Sequence, residues 1–309
     1  MRKRLTVDFR IAAAERDTLF TPDWSWPVAQ SSYDDPMRGF VEWLQTLPAQ
    51  LVDKPELGVA FELSESDLMV DIASIVGAWI DVSAARQHDM ELVFGSELRL
   101  YEMIQNDVYE GFSPIGDTRI TREMALRNPV RRVSRFAKKS LNRVSSRLQG
   151  IPNFHTTSAN PLLLEITGGQ NNLLRLTYAD IAAHRPSQAT SKQSIAVSDL
   201  AAEIQHQLAT RLEQAGYPSN PKFDSYIRSL VSNYLTNGIL DQQFTPGFTP
   251  STKMTLFTGT GGGYLARTVA HAFQMNGAKV IRTTHGGDTA LFKDPLWRSI
   301  ELPFSDTYV

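Results

Sequence analysis

KMTLFTGTGGGYLARTVAHAFQMNGAKVIRTTHGGD, Lys253 to Asp288, carries the reading of the fold. Met254 to Thr258 is a short apolar run of strand formers, and Gly259-Thr260-Gly261-Gly262-Gly263 follows it at once. Tyr264 to Asn276 then takes helical spacing, with Leu265, Val269, Ala272, Phe273 and Met275 largely on one side. Gly277 is a helix stop, and Lys279 to Thr284 is a second strand. Strand, helix and strand at this length predict a right-handed crossover joining parallel strands, the core of a Rossmann-like α/β domain.

A turn from strand into helix favours positive φ, which glycine supplies cheaply. A loop without β-carbons also lets its backbone approach a ligand, and the following helix N-terminus offers free N–H groups to a phosphate or carboxylate. Ligands of open α/β sheets sit at the carboxyl ends of the strands, and His285 and Asp288 follow the second strand at that edge. The dinucleotide fingerprint needs a third glycine and, roughly 20 positions on, an acid. Tyr264 stands at the third glycine's place, and the second strand runs into Arg282-Thr283-Thr284-His285. Arg282 would suit NADP, whereas the missing glycine counts against a dinucleotide. A glycine turn with no ligand of its own stays open at this point.

The 309 residues are enough for two domains, and the net charge of −2 argues against a general nucleic-acid binder. A 42% hydrophobic content with 5 Trp, 9 Tyr and 15 Phe supports a substantial core. With no cysteine, disulfides, thiolate metal sites and a cysteine nucleophile are all excluded. The six histidines are scattered, which disfavours a metal hydrolase. Asp8 and Arg10 interrupt the N-terminus before it can form a signal peptide, and no run reaches the ~18 apolar residues of a membrane span. The expected location is cytoplasmic, with a membrane surface open.

Before the glycine-rich unit, four regions follow from local patterning. Residues 1–117 form an N-terminal α/β region, with strands expected at Leu5–Phe9, Leu57–Leu63 and Glu91–Phe94. Thr21–Pro36 reads as a loop, and Met37–Leu47, Leu68–Arg86 and Ser96–Asn106 read as helices. Ser64-Glu65-Ser66-Asp67 has the spacing of a capping box. Residues 118–150 form a basic amphipathic helix that includes Arg131, Arg132, Arg135, Lys138, Lys139 and Arg143, with no acid between Glu123 and Glu165. It suits an anionic membrane surface, a solvated face of its own domain, or nucleic acid. Residues 151–252 are mainly helical, with His155 in a surface turn, a hairpin or loop over Leu162–Tyr178, and helices at Ser198–Ala215 and Phe223–Leu235, the latter ended by Gly238. Residues 253–309 begin the glycine-rich unit. Asp294–Leu302 reads as a helix and Ser305–Val309 as a strand start, so a chain truncated within a domain is expected.

Gly259 to Tyr264, followed by Ala266, Val269, Ala270, Phe273, Gly277 and Val280, resembles the glycine loop and first helix of the lipid-acceptor glycosyltransferases of bacterial envelope synthesis. Thr284-His285-Gly286-Gly287, then Glu301 and Ser305-Asp306-Thr307-Tyr308-Val309, is similar to the QHGG … E … AD-x-Y pattern of surface-carbohydrate transferases. The resemblance covers about the last 55 residues. It implies a GT-B type fold whose second Rossmann-like domain lies beyond Val309, and sugar transfer from a nucleotide-sugar donor to a glycan or lipid-linked acceptor. It needs no cofactor or metal. Gly259, Thr260, Gly261, Gly262, Gly263, Tyr264, Gly286 and Gly287 would bind substrate or phosphate, with His285 as base and Asp288 as its orienter or alternative. The competing readings are an NAD(P)-dependent oxidoreductase and a non-catalytic binding protein of envelope assembly.

Overall fold

The computed structural model describes residues 4–7, 28–95, 99–109, 154–156, 171–174, 176–183, 185, 188–259, 263–282 and 303–308. Its strands are β1 (Arg4–Thr6), β2 (Glu91–Val93), β3 (Phe154–Thr156), β4 (Asn171–Leu173), β5 (Thr255–Thr258), β6 (Lys279–Arg282) and β7 (Thr307–Tyr308). Its helices are α1 (Gln30–Leu44), α2 (Leu47–Gln50), α3 (Pro55–Gln87), α4 (Arg99–Asn106), α5 (Tyr178–Ala182), α6 (Ser191–Gln214), α7 (Pro221–Asp241) and α8 (Tyr264–Gln274). The described residues are mixed α/β and mostly helical, and every strand pairing among them is parallel. The chain forms two compact units. The first comprises Met1–Gln50, Leu68–Phe112 and Ile195–Asn233, and the second comprises Leu51–Asp67, Ser113–Ser194 and Tyr234–Val309.

The second unit holds a five-stranded parallel sheet in the order β4-β3-β5-β6-β7. β3 and β4, from the 151–252 stretch, therefore hydrogen-bond into the same sheet as β5. Numbered along the chain within this sheet, the order is 2-1-3-4-5, in which the connections reverse direction between β3 and β5. The expected strand–helix–strand unit is present: β5 and β6 pair in parallel from Thr255↔Lys279 to Thr258↔Arg282, with α8 between them. Alternation along β5 and β6 puts Leu256, Thr258, Val280 and Arg282 on the buried face. Leu256 and Val280 pack there with Val269, Ala272 and Phe273 of α8, Ile181 of α5, and Phe244. Met275, expected on that apolar side, lies past the helix end and is 70% exposed. Gly277 ends the element in the left-handed region, at φ +74. At the chain's end, Asp306 accepts from the Val280 N–H at 2.7 Å while its own N–H donates to the Val280 carbonyl at 2.9 Å. This aspartate of the Ser305–Val309 motif thus docks β7 against β6.

The first unit is helical, with β1 and β2 paired from Arg4↔Glu91 to Thr6↔Val93. Trp79 anchors it, its ring 4.2 Å from Phe223 and its indole N–H donating to the Tyr217 carbonyl at 3.1 Å. Asn220 caps α7, accepting from the Phe223 N–H at 2.9 Å. Asp81 is buried and accepts from the Tyr33 hydroxyl and, at 2.7 Å, from the Tyr101 hydroxyl. Burial raises the Asp81 pKa, and the two hydroxyls offset part of that.

Several local expectations are corrected. Leu57–Leu63 is not a strand but the start of α3, whose 33 residues run without a break to Gln87. A short apolar run fits a buried strand or a buried helix equally, and here the continuous helical stretch that follows decides it. Ser64-Glu65-Ser66-Asp67 consequently lies inside that helix, where the Ser64 hydroxyl donates to the Tyr234 carbonyl at 3.0 Å. Capping boxes stand instead at Thr177/Asp180 and Thr190/Gln193. Gln30–Pro36, expected within a loop, is the start of α1. Gly238, expected to end a helix, sits inside α7 because it lets α7 approach Ala60. His155, expected in a surface turn, is fully buried in β3, its ring 4.9 Å from Phe248 and 5.4 Å from Phe273. Asn171–Leu173 pairs in parallel with β3, which excludes a hairpin partner for that stretch there. The 118–150 helix and the Asp294–Leu302 helix lie outside the described residues. Among the described residues α3 is long and apolar enough to cross a membrane, and most of its most apolar window is buried in the protein.

Candidate functional site

β5 ends at Thr258 and the chain enters the glycine-rich loop at the carboxyl edge of the sheet. This edge lies between β5 and β3, where the strand order reverses. Gly263 caps α8 in extended conformation, φ −94 and ψ 145, and contributes no side-chain bond. The first intrahelical bond runs from the Arg267 N–H to the Gly263 carbonyl, 3.1 Å. The N–H groups of Tyr264, Leu265 and Ala266 are therefore without an intrahelical acceptor and point out of the helix start.

The two described glycines of the loop correct one premise and sharpen another. Neither Gly259 nor Gly263 adopts positive φ, so backbone conformation does not require glycine at either position. No described atom lies within 4 Å of a β-carbon built on either of them. Both glycines thus leave the space beside the backbone clear of described atoms at this edge. Gly277 differs, because its φ of +74 and a 2.9 Å approach to the Thr252 methyl both exclude a side chain.

Tyr264 is buried, and its ring lies among Leu63 and Tyr178. Its hydroxyl donates to Asp241 Oδ2 at 2.7 Å. Asp241 is 1% exposed and takes a bidentate pair from Arg185, Nε to Oδ1 at 2.6 Å and Nη2 to Oδ2 at 2.7 Å. Burial first, and then the Asp241 carboxylate, hold the Tyr264 phenol well above its ordinary pKa, so it stays a donor. One turn on, Arg267 is fully buried. It donates to the Glu62 carbonyl and lies 3.9 Å from Glu65 Oε2. Burial lowers its pKa, opposed by Glu65, Asp67 and Glu62. Arg282, at the carboxyl end of β6 and in register with Thr258, is also fully buried.

The other expected site residues, Thr260, Gly261, Gly262, His285, Gly286, Gly287 and Asp288, lie outside the described residues, as do Arg131, Arg132, Arg135, Lys138, Lys139 and Arg143. Patterning missed the Arg185–Asp241–Tyr264 and Arg267–Glu65 pairs. One signal was available: Arg267 is a lone arginine in a helix with few other polar residues, and a charge in such a helix needs a partner. No group of three or more His, Cys, Asp or Glu side chains suited to a metal occurs among the described residues. The first unit carries a cleft of about 310 Å³ lined by Val82, Arg86, Met90, Glu91 and Gln105.

His271, in α8, is 6% exposed with its ring 5.2 Å from Phe304. Burial lowers its pKa, so the folded state favours the neutral ring. Its contribution to stability is complete above the ordinary histidine pKa and is lost as pH falls through and below it. His271→Gln is expected to flatten the fall in thermal midpoint between pH 7 and pH 5. An unchanged slope would remove His271 from the acid sensitivity.

Comparison of the chain with family models, with curated proteins and with solved structures returns no match.

Proposed function

We propose that this chain is part of a GT-B type glycosyltransferase of bacterial surface polysaccharide biosynthesis, with its sheet as a Rossmann-like domain. It takes a sugar from a nucleotide-sugar donor and passes it to an envelope glycan or lipid-linked acceptor. The observation that carries the reading is the pair Gly259 and Gly263. They stand at the carboxyl edge where strand order reverses, neither needs glycine for its conformation, and no described atom lies within 4 Å of a β-carbon on either. That combination suits a ligand that approaches the main chain closely.

In the reaction the acceptor hydroxyl oxygen attacks the anomeric carbon, the bond from that carbon to the donor's phosphate oxygen breaks, and the nucleoside diphosphate (CMP for a CMP-sugar) leaves with the electron pair. The first-turn N–H groups of α8 would stabilise the charge gathering there. Tyr264 would take part through its backbone N–H, since its hydroxyl is committed to Asp241. His285 would accept the hydroxyl proton, with Asp288 orienting the imidazole, because imidazole titrates near neutral pH. Gly286 and Gly287 would let the chain pass close to the donor. The basic residues of 118–150 would hold the enzyme peripherally on the cytoplasmic face of the inner membrane.

A thermal-shift titration with UDP, GDP, CMP and NADP tests this. One of the first three is expected to raise the midpoint, with stabilisation approaching about 2.7 kcal/mol at a hundredfold excess over Kd. Gly259→Ala and Gly263→Ala should keep the wild-type midpoint without ligand and lose the ligand-induced rise. A rise with NADP instead would make the protein a nicotinamide oxidoreductase. No rise with any of the four would overturn the transferase in favour of a non-catalytic binding protein.

A further inference from the structure

We propose that Tyr264, Asp241 and Arg185 form a positioning network that sets the orientation of the first turn of α8, resting on the reading of that turn as the diphosphate site. α8 begins without a side-chain cap, because Gly263 has nothing to offer, so its first turn needs another anchor. The anchor is a buried chain of three groups: the Arg185 guanidinium donates twice to Asp241, and Asp241 accepts the Tyr264 hydroxyl at 2.7 Å. Asp241 is the last residue of α7, and Tyr264 is the first residue of α8. The Thr268 hydroxyl adds a bond to the Tyr264 carbonyl at 2.9 Å, inside the same turn.

Packing alone would not call for these groups. A phenylalanine would fill the space among Leu63 and Tyr178 and would bury no hydroxyl. Burying a carboxylate and a phenol costs desolvation that an apolar contact avoids, so their return lies in orientation. An apolar ring tolerates rotation of a helix about its axis, whereas a hydrogen bond to a fixed acceptor does not. The Tyr264 hydroxyl therefore fixes the directions in which the N–H groups of Tyr264, Leu265 and Ala266 point. Because burial and Asp241 keep the phenol protonated, this anchor persists across neutral pH.

Tyr264→Phe is the test, since it keeps the ring and removes the hydroxyl. Residue-resolved hydrogen exchange should show the Arg267 and Thr268 amides, the first ones bonded within α8, exchanging about tenfold faster. Ala272, Phe273 and Gln274 should stay as protected as in the wild type. UDP binding, measured by calorimetry well below the midpoint, should weaken about tenfold. Val269→Ala, a core truncation in the same helix that also lowers the midpoint, should leave both the Arg267 amide and the UDP affinity unchanged. Wild-type exchange at Arg267 and Thr268 in Tyr264→Phe would overturn the positioning role, and so would equal changes in Val269→Ala. If wild-type protein binds no nucleoside diphosphate, the diphosphate reading fails, and the exchange result still decides whether Tyr264 positions the turn.

Discussion

Gly238→Ala should lower stability by about 3 kcal/mol, because the added carbon would meet backbone rather than a movable side chain. A β-carbon there would lie 2.5 Å from the Ala60 carbonyl oxygen and 2.7 Å from its Cα. The helical segments of α7 and α3 that cross at this point would have to separate, which opens the packing on both sides. The midpoint should fall by roughly 10 °C. Gly77→Ala is the internal control: it lies in α3, no described atom beyond its own helix backbone stands within 4 Å of its β-carbon, and helix propensity alone should make it stabilising by about 0.5–1 kcal/mol. Opposite signs for the two substitutions are the expected outcome in a denaturant titration. A neutral Gly238→Ala would mean that the crossing is looser than the geometry here.

Arg267→Met should be the other severe change. The arginine is fully buried, 3.9 Å from a Glu65 carboxylate whose own side chain is 3% exposed, and it donates to the Glu62 carbonyl. Removing one member of a buried pair strands the other charge, at a cost of about 3–5 kcal/mol. The loss should depend on pH in a defined direction. Burial raises the Glu62 pKa and Arg267 offsets part of that rise. Without the arginine, the Glu62 carboxyl is held higher still in the folded state, so the variant's stability falls as pH rises through that raised value. The deficit relative to wild type should be larger at pH 8 than at pH 5. Adding Glu65→Gln to Arg267→Met should recover part of it, and a double-mutant cycle measures how much. A pH-independent deficit with no recovery would show that Arg267 acts through packing alone.

The two polar networks of the second unit share a consequence for the candidate site. Tyr264 opens α8 and Arg267 follows one turn on, and both side chains point inward to buried partners. In the proposed site the start of α8 would therefore meet a ligand through its backbone. Tyr264 stands where a fingerprint would place a third glycine, and its side chain is drawn into the interior by Asp241.

What the sequence by itself determined is the local chemistry between residues 254 and 282. Strand formers ahead of a glycine run, helical periodicity after it and Gly277 at the stop were enough for β5, α8 and β6 and for their parallel pairing. Those signals are short-range, since periodicity and glycine punctuation act within one or two turns of chain. The same logic found the long helices, although it placed their ends wrongly wherever an apolar run could serve two structures. Leu57–Leu63 became helix, and Gly238 stayed inside α7 to make room for Ala60. Only the tertiary structure decided that His155 lies buried in the strand beside β5, that strand order reverses at the glycine loop, and that Asp241 and Arg185 reach Tyr264. Each of these depends on residues between 23 and about 100 positions apart being brought together by burial, and no local pattern encodes which distant partner a buried polar group will find.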